Sequence, residues 1–141
     1  MGRVIPGRPI VRGHAEGEVL VSNEPLSFWG GYNHRTGEIT DRRHPLSGAI
    51  ASGRVLALPF SRGSSTTTAV LLEAVRAGTA PAAIITTAVD SFFALASIVA
   101  DEMYRTPIPI IAIAQEDFAT LQTGDRVKIA NDASIIVGDS M

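Results

Sequence analysis

The sequence predicts an α/β domain of β/β/α type, with short strands towards both ends of the chain around a mostly parallel central sheet and flanking helices. Two observations carry that expectation. Between residues 54 and 113, apolar runs of strand length alternate with helical segments, the pattern of β-α-β-α-β units. Outside that stretch the apolar segments are short and bounded by Gly, Pro, Asn and Asp, as in paired strands. At 141 residues, 45% of them hydrophobic, the chain has the size of one domain with its own core, so residues 1–141 are expected to form a single domain.

Val4 and Ile5 precede a Pro and Gly turn, and residues 17–22 (Gly-Glu-Val-Leu-Val-Ser) read as a strand. Residues 23–53 are rich in Gly, Pro, Asn, Asp and Ser, with turns at Thr36-Gly37 and His44-Pro45 and a hint of strand at residues 38–40. A loop of this length in a compact domain is usually disordered or functional. Within it Phe28 and Trp29 stand beside Gly30 and Gly31. These aromatics either plug an end of the core or contact a partner subunit. Residues 54–59 form a strand, residues 66–77 a helix, and Gly78 is its stop signal. Residues 81–86 form the next strand, Asp90 is placed to cap a helix over 91–103, and residues 108–113 form a third strand. A hairpin closes the pattern, with strands at 123–129 and 133–137 around an Asn131-Asp132 turn.

Composition narrows the function. The formal net charge of −2 and the lack of any like-charged block give no reason to expect nucleic acid or an anionic membrane as partner. No apolar stretch approaches the roughly 18 residues of a spanning helix, and residues 1–13 are basic without an apolar run behind them, so a soluble, cytoplasmic protein is expected. Cysteine is absent, which removes disulfides, thiolate nucleophiles and a cluster held by this chain's own thiolates. His14, His34 and His44 lie singly, without the spacing that aims two ligands at one metal, so no metal is expected on this chain. Asp41, Arg42, Arg43 and His44 read as a solvated loop, and Asp101 and Glu102 as a solvated helix face.

The informative segment runs from Phe60 to Thr68, between a strand and the helix after it. The crevice beyond the carboxyl ends of parallel strands is the usual ligand site, and a helix start there offers free N–H groups and a positive dipole end. Gly63 lets backbone approach a ligand and Arg62 adds a cation. Such a turn can hold a carboxylate or phosphate, or a serine hydroxyl with alkoxide character. Equally, Ser64, Ser65 and Thr66 can serve only as helix-start caps. No Lys follows the glycine as in a P-loop, and the G-x-S-x-G elbow is missing.

Four ordered motifs carry a resemblance over almost the whole chain: Leu26-Ser-Phe-Trp-Gly-Gly31, Thr36-Gly-Glu-Ile-Thr-Asp41 with His44-Pro45-Leu46, Arg62-Gly-Ser-Ser-Thr66, and Gly78-Thr-Ala-Pro-Ala-Ala-Ile84. They follow one another as in the small subunit of aconitase X enzymes. The resemblance implies a swivelling β/β/α domain docking on a larger subunit that carries an iron or iron–sulfur centre, in a dehydratase acting on a small hydroxy acid. It implies Ser64 as the catalytic base; the positions of Arg62, Gly63, Ser65 and Thr66 beside it make them the candidate substrate contacts. In aconitase itself an Arg follows the similar serine pair. Here Thr66 follows, so that Arg's contacts do not transfer.

The resemblance brings two substrates, cis-3-hydroxy-L-proline in bacterial members and 5-phosphomevalonate in archaeal ones. The Ser-Ser-Thr-Thr-Thr run and the helix at 91–103 look more like the bacterial form, while a helix start at Ser64 also suits a phosphate. Phosphohistidine carriers share the architecture but need a histidine in the turn, and residues 64–68 have none. A non-catalytic module that binds its partner through Phe28 and Trp29 would not depend on Ser64.

Overall fold

The computed structural model describes residues 3–59, 65–88 and 91–138. The chain runs through β1 (Arg3–Ile5), β2 (Arg8–Val11) and β3 (Ala15–Val21), then a long excursion holding α1 (Phe28–Gly31). Two crossovers follow: β4 (Val55–Ala57), α2 (Ser65–Ala77), β5 (Ala83–Thr86), α3 (Ser91–Tyr104) and β6 (Ile110–Ala112). After α4 (Gln115–Phe118) comes the hairpin of β7 (Arg126–Ile129) and β8 (Ile135–Gly138).

The strands lie in the order β1-β8-β7-β3-β4-β5-β6-β2. The centre, β3 to β6, is parallel, as expected from its apolar runs, and the flanks are antiparallel. β3 serves both parts: residues 15–18 pair with β7 and residues 19–21 with β4. The strands at the two ends of this order, β1 and β2, are neighbours in sequence, separated only by Pro6 and Gly7. Two residues span less than about 11 Å even with their flanking peptides, so the sheet curls until its ends approach. Gly7 sits in the seam, where a Cβ would fall 2.4 Å from both the Ala133 carbonyl oxygen and Ile111 Cγ2.

Strand alternation then sorts the core. Val55 and Ala57 of β4 point into the curled sheet with Ala83, Ile85, Ile111, Val127, Ile129 and Ile135. Leu56, Leu58, Ile84 and Ile110 point to the other face, where α2 packs Val70, Leu71 and Ala74 and α3 packs Phe93 and Ala96. Each such large side chain, fully buried, contributes about 1.5–3 kcal/mol. Ser97, also buried, donates to the Ile108 carbonyl at 2.6 Å and accepts from Ile108 N–H at 2.8 Å, fastening α3 to the segment leading into β6.

Several expectations hold with shifted ends. Helix α2 stops at Gly78, whose φ is +79°, with Thr79 N–H bonding to Ala74 and Gly78 N–H to Val75, a Schellman ending. The hairpin turn lies at residues 130–133, closed by Ala133 N–H on Ala130. Asp132 accepts from the Ser134 hydroxyl at 2.6 Å and from its N–H at 3.0 Å, which holds its carboxyl below the ordinary value. Asp90, the expected cap of α3, lies outside the described residues.

The excursion differs from the loop read in the sequence. It contains α1 and two antiparallel bridges, Tyr32 to Ile39 and Glu38 to Ile50. Leu26, Phe28, Tyr32, Ile39, Leu46 and Ala51 bury themselves on the helix-side core. Phe28 therefore packs, with ring centroids 5.3 Å from Tyr32 and 5.7 Å from Phe93, while the Trp29 side chain lies outside the described residues. His44 corrects the solvated reading of its cluster: it is buried, its Nδ1 accepts Leu46 N–H at 3.1 Å, and its Nε2 then donates to the Glu24 carbonyl at 3.2 Å. Arg42 and Arg43 are exposed, as read.

Candidate active site

Because β3 to β6 run parallel, their carboxyl ends share one edge, and α2 and α3 both start there. The ends are tied by hydrogen bonds beyond the ladder. The Pro59 carbonyl, the last before residues 60–64, accepts from the Thr86 hydroxyl at 2.8 Å, the Thr87 hydroxyl at 3.1 Å and Thr87 N–H at 3.4 Å. Ile113 N–H bonds to the Thr86 carbonyl at 2.8 Å, and Ser22 N–H to Ala57 at 3.1 Å. This carbonyl clamp fixes the direction in which β4 hands the chain to the next segment.

The first turn of α2 faces that of α3. Thr68 Oγ1 donates to the Phe92 carbonyl at 3.2 Å, so the two helix starts are held side by side and their dipoles put positive potential on the same edge. Thr67, one residue earlier, is 1% exposed and its hydroxyl has no hydrogen-bond partner among the described residues. A buried hydroxyl left so is uncommon, and a saturated helix cap does not explain it.

Of the residues expected at the site, Arg62, Gly63 and Ser64 lie outside the described residues. Ser65 and Thr66 are described through their backbone, as the first two residues of α2. His14 is exposed, His34 half-buried and His44 locked in its own bonds. Among the described residues no three of His, Asp and Glu group to hold a metal ion. None of the described helices is long and apolar enough to cross a membrane. Sequence reasoning passed over Thr67, Thr86 and Thr87. Two threonines directly after Ile84-Ile85 were the available signal, since hydroxyls at the end of a buried parallel strand must find partners.

Residues 4–138 match the sequence profile of the family described as the aconitase X swivel domain. The chain belongs to that family. It is 46% identical over 112 residues to cis-3-hydroxy-L-proline dehydratase of Pseudomonas aeruginosa, covering 79% of this chain but 19% of that relative. Against the phosphomevalonate dehydratase small subunit of Thermococcus onnurineus it is 36% identical, covering 94% of this chain and 95% of the other. Among solved structures, aconitase X of Thermococcus kodakaraensis in its holo form superposes with a TM-score of 0.86 at 32% identity, over 97% of this chain and 99% of the other.

For a swivel domain the geometry is apt. Paired helix starts and a braced strand end make an electropositive, shape-stable edge, while the donor set does not fit a resident iron–sulfur cluster, because the chain has no cysteine. The edge can receive an anion and present a hydroxyl to it.

Proposed function

We propose that this chain is a single swivelling domain serving as the small subunit of an aconitase X type dehydratase, bringing the Ser64 hydroxyl to a hydroxy acid held by a larger partner. The observation that carries the reading is the edge where α2 and α3 start together: residues 60–64 join the clamped end of β4 to α2 in a member of the aconitase X swivel family.

In this reading the Ser64 oxygen takes the proton from the carbon next to the substrate carboxylate. The electron pair of that C–H bond becomes the new double bond, and the hydroxyl on the adjacent carbon leaves as hydroxide, which takes the proton held by Ser64 to give water. Arg62, Gly63, Ser65, Thr66 and the N–H groups of the first turn surround the anion and favour the base in its charged form. The departing hydroxyl needs a Lewis acid, which an iron or iron–sulfur centre in the larger subunit would supply. We take the substrate to be cis-3-hydroxy-L-proline, following the 46% identity, and the setting to be the cytoplasm, without nucleic acid or membrane as partner. 5-Phosphomevalonate is the second reading, favoured by the match to a separate small subunit over nearly the whole of both chains.

The test is co-expression of this chain with its large subunit, wild type beside Ser64→Ala. Dehydration should require both chains, and Ser64→Ala should lower kcat by about a hundredfold or more while the complex still assembles. Turnover of 5-phosphomevalonate alone would replace the substrate. Undiminished turnover by Ser64→Ala would reduce Ser64 to a helix start and favour a partner-binding module.

A further inference from the structure

Beyond the carboxyl ends of β5 and β6 lies a groove of about 330 Å³, lined by Pro6, Gly7, Arg8, Thr87 and residues 112–114. That volume suits a small metabolite. Its position links it to the site already described, because Thr87 is both a wall of the groove and a donor to the Pro59 carbonyl at 3.1 Å. The groove therefore adjoins the point where β4 leads into residues 60–64.

Arg8 is the charged residue of the lining. Its backbone is held firmly: it pairs with Ala112 across β2 and β6, directly after Gly7 in the seam. Its side chain is exposed, and it makes no hydrogen bond or ion pair among the described residues. Arg3, Arg76 and Arg126 differ in this respect, being engaged by Thr120, Glu73 and Glu16. Among the described residues no carboxylate lines the groove to neutralise the guanidinium. A planar guanidinium on a rigid strand, with apolar and hydroxyl walls beside it, matches a carboxylate that takes two parallel hydrogen bonds.

Resting on the dehydratase reading, we propose that Arg8 binds the substrate carboxylate in this groove. It is a substrate-binding residue that neither the motif at residues 62–66 nor the family match assigns.

The test uses the assembled two-subunit complex, wild type, Arg8→Gln and Arg8→Lys, with two readouts. In steady-state dehydration of cis-3-hydroxy-L-proline, Arg8→Gln should raise KM at least tenfold and change kcat less than threefold, with Arg8→Lys recovering part of the loss. In calorimetric titration with L-proline, which has the carboxylate and no hydroxyl to lose, Arg8→Gln should weaken binding by the same factor. Equal KM and equal L-proline binding in wild type and Arg8→Gln overturn the assignment while leaving the dehydratase reading intact. Absence of L-proline binding to the wild-type complex also overturns it, as does binding of inorganic phosphate at the groove in place of L-proline. Arg8-dependent L-proline binding in a complex that dehydrates neither acid supports the groove and removes the dehydratase reading.

Discussion

At the amino edge of the parallel strands a chain of hydrogen bonds ties the excursion to the strand starts, whereas the carboxyl edge holds polar groups without partners among the described residues. Tyr32 donates its hydroxyl to the Thr79 carbonyl at 2.7 Å, the Thr79 hydroxyl bonds to the His34 carbonyl at 2.5 Å, and Gly53 N–H and Ala51 N–H close on Ala80 and Gly37. Gly37 has φ +80°, and a Cβ there would lie 2.7 Å from Ser52 Cβ and 2.9 Å from the Thr79 oxygen. The carboxyl edge instead holds a Thr67 hydroxyl and an Arg8 guanidinium without partners among the described residues, and a groove of about 330 Å³ against one of about 200 Å³ at the amino edge. The contrast fits the proposed division, stability at one end and ligand chemistry at the other, and it can be broken by substitution.

The largest effect should come from Gly37→Ala, which adds both backbone strain and a clash to the filled edge and should cost about 3 kcal/mol or more in urea unfolding. A loss below about 1 kcal/mol would mean that this edge yields easily, and the contrast would fail. Next is Tyr32→Phe, which removes a donor from the Thr79 carbonyl and should cost about 1–2 kcal/mol at neutral pH. Burial pushes the Tyr32 phenol above its ordinary value of 10.0, so the folded state keeps the proton longer than the unfolded chain does. The stability tied to that proton is intact below pH 10 and is lost as pH rises beyond it. The gap between wild type and Tyr32→Phe should therefore narrow in unfolding curves taken above that pH. The smallest effect belongs to the open edge: Thr67→Val removes a hydroxyl with nothing to bond and should leave stability unchanged or raise it by up to about 1 kcal/mol. A clear loss of stability would show that the hydroxyl is satisfied in solution.

Legibility in the sequence followed the same division between local and distant causes. The central β-α-β-α-β unit could be read because its strands are buried on both faces and appear as unbroken apolar runs, Val55 to Leu58 and Ala83 to Ile85 among them. β2 could not, because Arg-Pro-Ile-Val is half-exposed, contains a proline and is bulged between Pro9 and Val11, and its partner β6 is some hundred residues away. His44 looked solvated beside Asp41, Arg42 and Arg43, and only the fold of the excursion brings Glu24 over it. Ser64 is proposed from strand-turn-helix order and motif resemblance, and lies outside the described residues. Arg8 carries no local signal at all: pairing of β2 with β6 is what takes it to the carboxyl edge.

The seam at Gly7 has a consequence for how the chain comes together in time. β1 finds its partner in β8, so one end of the sheet is completed only after that distant strand has been made. β2 waits almost as long for β6. Such distant pairings slow folding and leave unpaired strands available to neighbouring chains during synthesis. Arg3 and Arg8 put charge on both waiting strands, and Pro9 withholds a backbone donor from one of them. The residues that make β2 hard to see in the sequence are thus the same ones that keep it from pairing with the wrong chain before the sheet's ends meet.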